Sequence, residues 1–203
     1  MHRAPTHAWL AQMHKLFAAA LALLSCAACS TTPSNTPSAA TPPFEAAAAS
    51  PEHAWLRQLV GEWRVTSEAS MGTDQPPMKI ESSENVRAIG ELWVLSESRA
   101  QMHDQPFTSL LTLGFDPAQG CFVGTWVDTM QTHLWSYRGE LDRERNTLTL
   151  EASGPGFEDP SQRALYRDVI EVVDRDHKRL TSSVQGPDGS WTEFLRAEST
   201  RVK

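Results

Sequence analysis

From Gly61 onward the chain alternates. Trp63, Val65 and Ser67 fall on one side of an extended backbone, and Arg64, Thr66 and Glu68 fall on the other. A period of two residues is the mark of a half-buried strand. Further strands read as Val86–Gly90, Leu92–Met102, Phe107–Phe115, Cys121–Asp128, His133–Leu141, Thr147–Glu151, Tyr166–Val173, Arg179–Gln185 and Ser190–Ser199. Polar turns separate them, among them Asp116-Pro117-Ala118-Gln119-Gly120, Asp142 to Asn146, and Gly186-Pro187-Asp188-Gly189. This spacing predicts about nine or ten antiparallel strands joined by short links, a sandwich or a barrel. Hairpin links throughout favour an up-and-down meander, which hides its edges most simply by closing on itself.

Helical spacing is found only at the start of this region. Ser50 reads as an N-cap, Pro51 as the first helical residue and Glu52 as a first-turn acid, with Trp55, Leu56, Leu59 and Val60 on one face. Gly61 ends the helix.

The N-terminal fifty residues follow a different logic. Lys15 precedes the small and apolar run Leu16 to Ser25, which stops at Cys26. A basic start, a short apolar core and a small residue before a cut describe a secretory signal over residues 1–25, too short to span a bilayer. Cysteine directly after Ser25 adds a lipoprotein reading, with Cys26 acylated; Cys29 is a rival site, and a soluble secreted product is the plainer alternative. Met13 makes a better signal start than Met1. The absence of an acid after either cysteine resembles signals sorted to the outer membrane of Gram-negative bacteria, facing the periplasm. Residues 26–49, rich in Pro, Ser, Thr and Ala, bury too little apolar surface to order and are expected to form a disordered tether. Residues 50–203 then form a single domain.

Charge narrows the partners. Lys plus Arg number 18; without Arg3 and Lys15, the mature chain keeps 16 against 25 acids, or −9. Such a domain is a poor match for nucleic acid, whose affinity rests on phosphate neutralisation. It is no better suited to lie flat on anionic lipid, so membrane contact is expected through the N-terminal lipid alone. Cys121 is the one cysteine of the domain and reads as an apolar strand residue.

The helix leading into Gly61-Glu62-Trp63 resembles the Gly-x-Trp opening of calycins, the lipocalin and fatty-acid-binding group. A longer set of matches is similar to the bacterial domain-of-unknown-function 1579 family. It comprises Trp55-Leu56, Met71-Gly72, Glu84-Asn85-Val86-Arg87, Leu92-Trp93-Val94, Leu113 to Pro117, Phe122 to Trp126, His133-Leu134-Trp135, Tyr166 to Glu171 and Thr181 to Gly186. The resemblance covers essentially all of residues 50–203 and implies an all-β, up-and-down calycin-like barrel with a short N-terminal helix. It brings no ligand or reaction. It also implies that Trp63 plugs the closed end beneath an arginine of the last strand, Arg196 or Arg201, with Arg196 taken as the partner.

A few polar side chains share faces with apolar ones. Glu84 alternates with Met78, Ile80, Ser82, Val86 and Ala88; Asp168 alternates with Tyr166, Ile170 and Val172. His133 and Trp135 alternate next to Trp126. A buried carboxylate is costly unless paired or protonated, so these positions mark candidate ligand contacts: Glu84, Trp126, His133, Trp135, Tyr166 and Asp168. Glu84 paired with an arginine, and tryptophans that merely fill the barrel, are the structural alternatives. No serine-hydrolase elbow, phosphate loop or dinucleotide fingerprint occurs, and no histidine pair has metal-ligand spacing, so neither a cofactor nor a metal is expected. The leading expectation is a lipid-tethered barrel of the cell envelope binding a small hydrophobic or amphipathic molecule. Two others stand beside it: a small-molecule enzyme using Glu84, His133, Tyr166 and Asp168 as an acid–base set, and a solid barrel serving an envelope partner.

Overall fold

A computed structural model describes residues 46–70, 76–102, 104–156 and 159–203. The expected signal over 1–25, Cys26, Cys29 and the tether as far as residue 45 lie outside the described residues. A six-residue helix α1 (Pro51–Leu56) runs into a 3-10 turn (Arg57–Leu59). Ten strands follow: β1 (Gly61–Ala69), β2 (Met78–Ile89), β3 (Trp93–Met102), β4 (Gln105–Asp116), β5 (Cys121–Asp128), β6 (Trp135–Asp142), β7 (Thr147–Pro155), β8 (Arg163–Val172), β9 (His177–Gln185) and β10 (Trp191–Arg201). Each pairs antiparallel with its sequence neighbour, and β1 pairs with β10, so the sheet closes. The all-β, up-and-down barrel with a short leading helix is the architecture the alternation predicts.

Several bounds differ from the sequence reading, and three of them bear on the site. β2 begins eight residues earlier than the Val86–Gly90 segment, at Met78, because Ser82, Ser83 and Glu84 break the apolar contrast without breaking the extended backbone. β9 begins at His177, which brings Lys178 into the sheet. His133 lies outside β6, in the coil before Trp135, so it is not a strand residue.

One end of the barrel is sealed. The Ser50 amide donates to His53 Nδ1 at 2.9 Å, fixing the entry to α1. Trp55, Leu56 and Leu59 from the helical segment pack with Trp63, Leu113, Phe122 and Leu148 in the buried core. His53 and Phe115, and Trp55 and Phe122, meet edge to face. Trp55 Nε1 donates to Asn146 Oδ1 at 2.6 Å, and Asn146 Nδ2 donates to the Val172 carbonyl, so the helix is tied to the β6–β7 turn.

Trp63 is the plug. It is 1% exposed, its Nε1 donates to the Leu59 carbonyl at 2.9 Å, and a guanidinium lies 4.0 Å above its ring. That guanidinium belongs to Arg201, directly opposite Trp63 in the β1–β10 register. Arg196, the expected partner, instead points outward and pairs with Glu193 at 2.9 Å. The register sets Arg196 opposite Glu68, five positions along β1 from Trp63, and a shift between Glu193 and Leu195 turns it to the outer face. Thr192 lies opposite the inward Val184, but beyond the bulge the odd residues Leu195, Ala197 and Ser199 face inward. Gly61 admits this arrangement: its φ is +143°, and a Cβ there would lie 2.1 Å from Arg201 Nη1.

Candidate functional site

Inside the barrel, between this plug and the opposite end, lies a cavity of about 730 Å³. It reaches from Leu59, Leu113 and Lys178 near the plug to Met102, Met130 and Phe194 toward the opposite end. The six candidate residues Glu84, Trp126, His133, Trp135, Tyr166 and Asp168 all border it. Strand alternation accounts for five of them, and the coil before β6 delivers His133.

Two polar knots project from the wall. In the first, Lys178 Nζ of β9 reaches Glu84 Oε2 of β2 at 2.5 Å, and Ser96 Oγ of β3 donates to Glu84 Oε1 at 2.6 Å. Their side chains are 11% and 12% exposed, and Lys178 also lies 5.0 Å from the Trp63 ring centroid. Glu84 therefore enters the barrel as expected, but its partner is a lysine. The β9 strand as read from sequence started at Arg179, which left Lys178 outside the alternation with Leu180 and Ser182 that would have revealed it.

In the second knot Tyr137 Oη of β6 donates to Asp168 Oδ2 of β8 at 2.5 Å, and Ser182 of β9 also bonds this carboxyl. Burial pushes the Asp168 carboxyl above the usual carboxylate range, and the two hydrogen bonds work against that rise. Burial first, then the Asp168 charge, pushes the Tyr137 phenol up, so the tyrosine keeps its proton and stays the donor. Tyr137 shares the inward face with Trp135, a signal visible in the sequence but not used.

The Asp168 shift has a measurable consequence. With the folded value above the unfolded one, folded Asp168 holds a proton that the unfolded chain has already released. The native state is favoured below the unfolded value of about 4, and this contribution is lost as pH rises toward the folded value. Asp168→Asn keeps an acceptor for Tyr137 and removes the titration. Its stability relative to the native protein is expected to climb with pH from the carboxylate range toward neutrality, measured by urea denaturation across pH; a pH-independent difference would refute this.

Toward the end opposite the plug runs a chain of edge-to-face rings. His133 and Trp135, and Trp135 and Tyr166, have centroids 4.8 Å apart; Tyr166 and Phe194 are 6.1 Å apart. Gly154 of β7 makes room for this stack, since a Cβ there would come within 2.3 Å of the Trp135 ring. Tyr166 Oη donates to the Pro155 carbonyl at 2.6 Å. Among the described residues His133 Nε2 and Trp135 Nε1 are buried without a hydrogen-bond partner.

Glu84, His133, Tyr166 and Asp168 all border the cavity, but they are not bonded to one another. Each carboxylate is engaged in its own knot, Tyr166 is bonded to backbone, and no hydrogen bond joins any two of the four among the described residues. Nor does any group of three or more His, Cys, Asp or Glu side chains there have the arrangement to hold a metal ion.

No curated protein matches the sequence. Among solved structures, the S-type phycobiliprotein lyase CPES from Guillardia theta is similar with a TM-score of 0.51 at 11% identity, over 74% of this chain and 92% of that one. Rv2717c from M. tuberculosis is similar with a TM-score of 0.52 at 14% identity, over 77% of this chain and 100% of that one. At such identities the likeness is one of fold, the calycin-like barrel. The family described as "Protein of unknown function (DUF1579)" matches residues 48–201.

Proposed function

This chain belongs to the DUF1579 family, and we propose that it is a lipid-tethered binding protein whose barrel holds a small hydrophobic or amphipathic molecule. The observation that carries this reading is the cavity of about 730 Å³, sealed at the plug end and walled mostly by apolar side chains with a few placed polar groups. A barrel serving only as a solid interaction module would have little reason to keep such a volume. The enzymatic alternative has less support, since the two carboxylates of the wall, Glu84 and Asp168, are each bonded to a separate partner. The signal-like run ending at Cys26 supports an anchor in the cell envelope, in an outer membrane with the barrel facing the periplasm. The acidic balance of the chain argues against nucleic acid as a partner.

The test uses the full chain produced in a bacterial host. Native mass spectrometry is expected to find a small molecule retained by the protein, and organic extracts of the host are expected to change the tryptophan emission saturably. Neither a retained molecule nor a saturable change would overturn the binding reading. Separately, Cys26→Ala is expected to move the protein from the membrane fraction to the soluble fraction; an unchanged membrane fraction would overturn the anchor.

A further inference from the structure

The cavity wall is divided. Strands β5 to β8 contribute Trp126, Trp135, Tyr137, Leu150, Tyr166 and Ile170, and no serine. The other six strands, β9, β10 and β1 to β4, form the facing wall, and serine recurs along it. Ser67 on β1, Ser82 on β2, Ser98 on β3, Ser109 on β4 and Ser199 on β10 all border the cavity. None of these five hydroxyls has a hydrogen-bond partner among the described residues, and none is shut away from the cavity space. The two serines beside them, Ser96 and Ser182, serve the polar knots. A hydroxyl can donate or accept, so this wall suits a ligand edge carrying oxygens of either kind. The wall opposite offers aromatic rings.

Charge narrows the class further. Lys178 is neutralised by Glu84, and Arg179, which borders the cavity, is held by Glu171 and Glu198. Asp168 adds either no charge or a negative one. No lysine or arginine of the described wall is left to receive an anion, and transferring an uncompensated carboxylate into such a space is costly. Trp135 Nε1 and His133 Nε2 are shut away from the cavity space as well as unpartnered, so the hydrogen-bonding groups that face a ligand there are the serine hydroxyls.

We infer that the cavity takes an uncharged, flat ring compound bearing carbonyl, ether or hydroxyl oxygens, stacked on the β5–β8 aromatics with its oxygens toward the serine wall, and not a fatty-acid anion. This rests on the binding reading above and names the ligand class for the same site.

The test is equilibrium dialysis of the full chain against three probes: flavone, which is planar, neutral and oxygenated; 2-phenylnaphthalene, which has the same ring outline without oxygens; and palmitate. Flavone is expected to bind saturably and roughly tenfold more tightly than 2-phenylnaphthalene, the factor that one or two net hydrogen bonds supply. Palmitate is expected to bind more weakly than flavone. The Ser82→Ala/Ser98→Ala/Ser109→Ala variant should lose most of the preference for flavone and keep its affinity for 2-phenylnaphthalene. Should that variant not fold, the ranking of the three probes on the native protein decides the matter. Palmitate binding ahead of flavone, or equal affinities for the two ring probes, overturns the inference and leaves the binding reading standing. Failure of all three probes and of host extracts overturns both.

Discussion

Lys178→Met is expected to destabilise the barrel by about 3–5 kcal/mol, measured by urea denaturation at neutral pH. The lysine is the single counter-charge to Glu84 among the described residues, and both side chains are nearly nine-tenths buried inside the cavity wall. Methionine fills much the same volume, so packing against Trp63 is retained and the charge is what changes. Glu84 is left with Ser96 alone, a neutral donor that cannot offset a buried carboxylate. The Glu84→Gln/Lys178→Met double variant removes the stranded charge and should recover most of the loss, because a buried ion pair is itself worth little against uncharged residues of similar shape. A Lys178→Met cost below about 1 kcal/mol, the range of exposed ion pairs, would mean that the pair is solvated through the cavity. That result would also weaken the argument that the interior has no cation to spare.

How far the sequence revealed this arrangement depends on what each strand faces. β1 borders the cavity with mostly apolar inner residues, and Trp63, Val65, Ser67 and Ala69 alternate cleanly with exposed ones. Its inward face was legible because water and core demand opposite chemistry. β2, β3 and β10 face the same cavity, but there the inner positions Ser82, Glu84, Ser96 and Ser199 are polar. An inward serine has the same letter as an outward one, so the contrast that marks a strand fades where a ligand space begins. This is why β2 was read short and why the serine wall was not visible before the sheet was closed. Glu84 was recovered because its neighbours Ile80 and Val86 kept the rhythm on both sides. Its partner lies 94 residues away, and only the register of β9 and β2 around the barrel brings Lys178 to it. The Arg196 misassignment has a different origin: composition shows neither the register that sets Arg201, and not Arg196, opposite Trp63 nor the bulge between Glu193 and Leu195.

Trp63→Ala is expected to cost about 3–5 kcal/mol, the range for truncating a large buried aromatic. The ring is 1% exposed and carries three attachments at once. Its indole N–H satisfies the Leu59 carbonyl, Arg201 lies on its face, and Lys178 approaches from the cavity side. Removing it strands the carbonyl and opens a hole between α1 and the cavity floor. Trp63→Phe separates these contributions: a ring remains for the cations, and the expected loss is nearer the 1–3 kcal/mol of one unsatisfied buried polar group. The arginines supply the control. Arg201 donates to the Val60, Gln58 and Arg175 carbonyls as well as covering the ring, so Arg201→Ala should destabilise well beyond an exposed pair. Arg196→Ala removes an exposed contact with Glu193 and should fall within about 1 kcal/mol of native. Equal costs for the two arginine variants in urea denaturation would contradict the assignment of Arg201 as the plug's cover. If the ranking holds, the closed end is a tied assembly of helix, first strand and last strand, meeting at the one place where the chain brings its ends together to close the sheet.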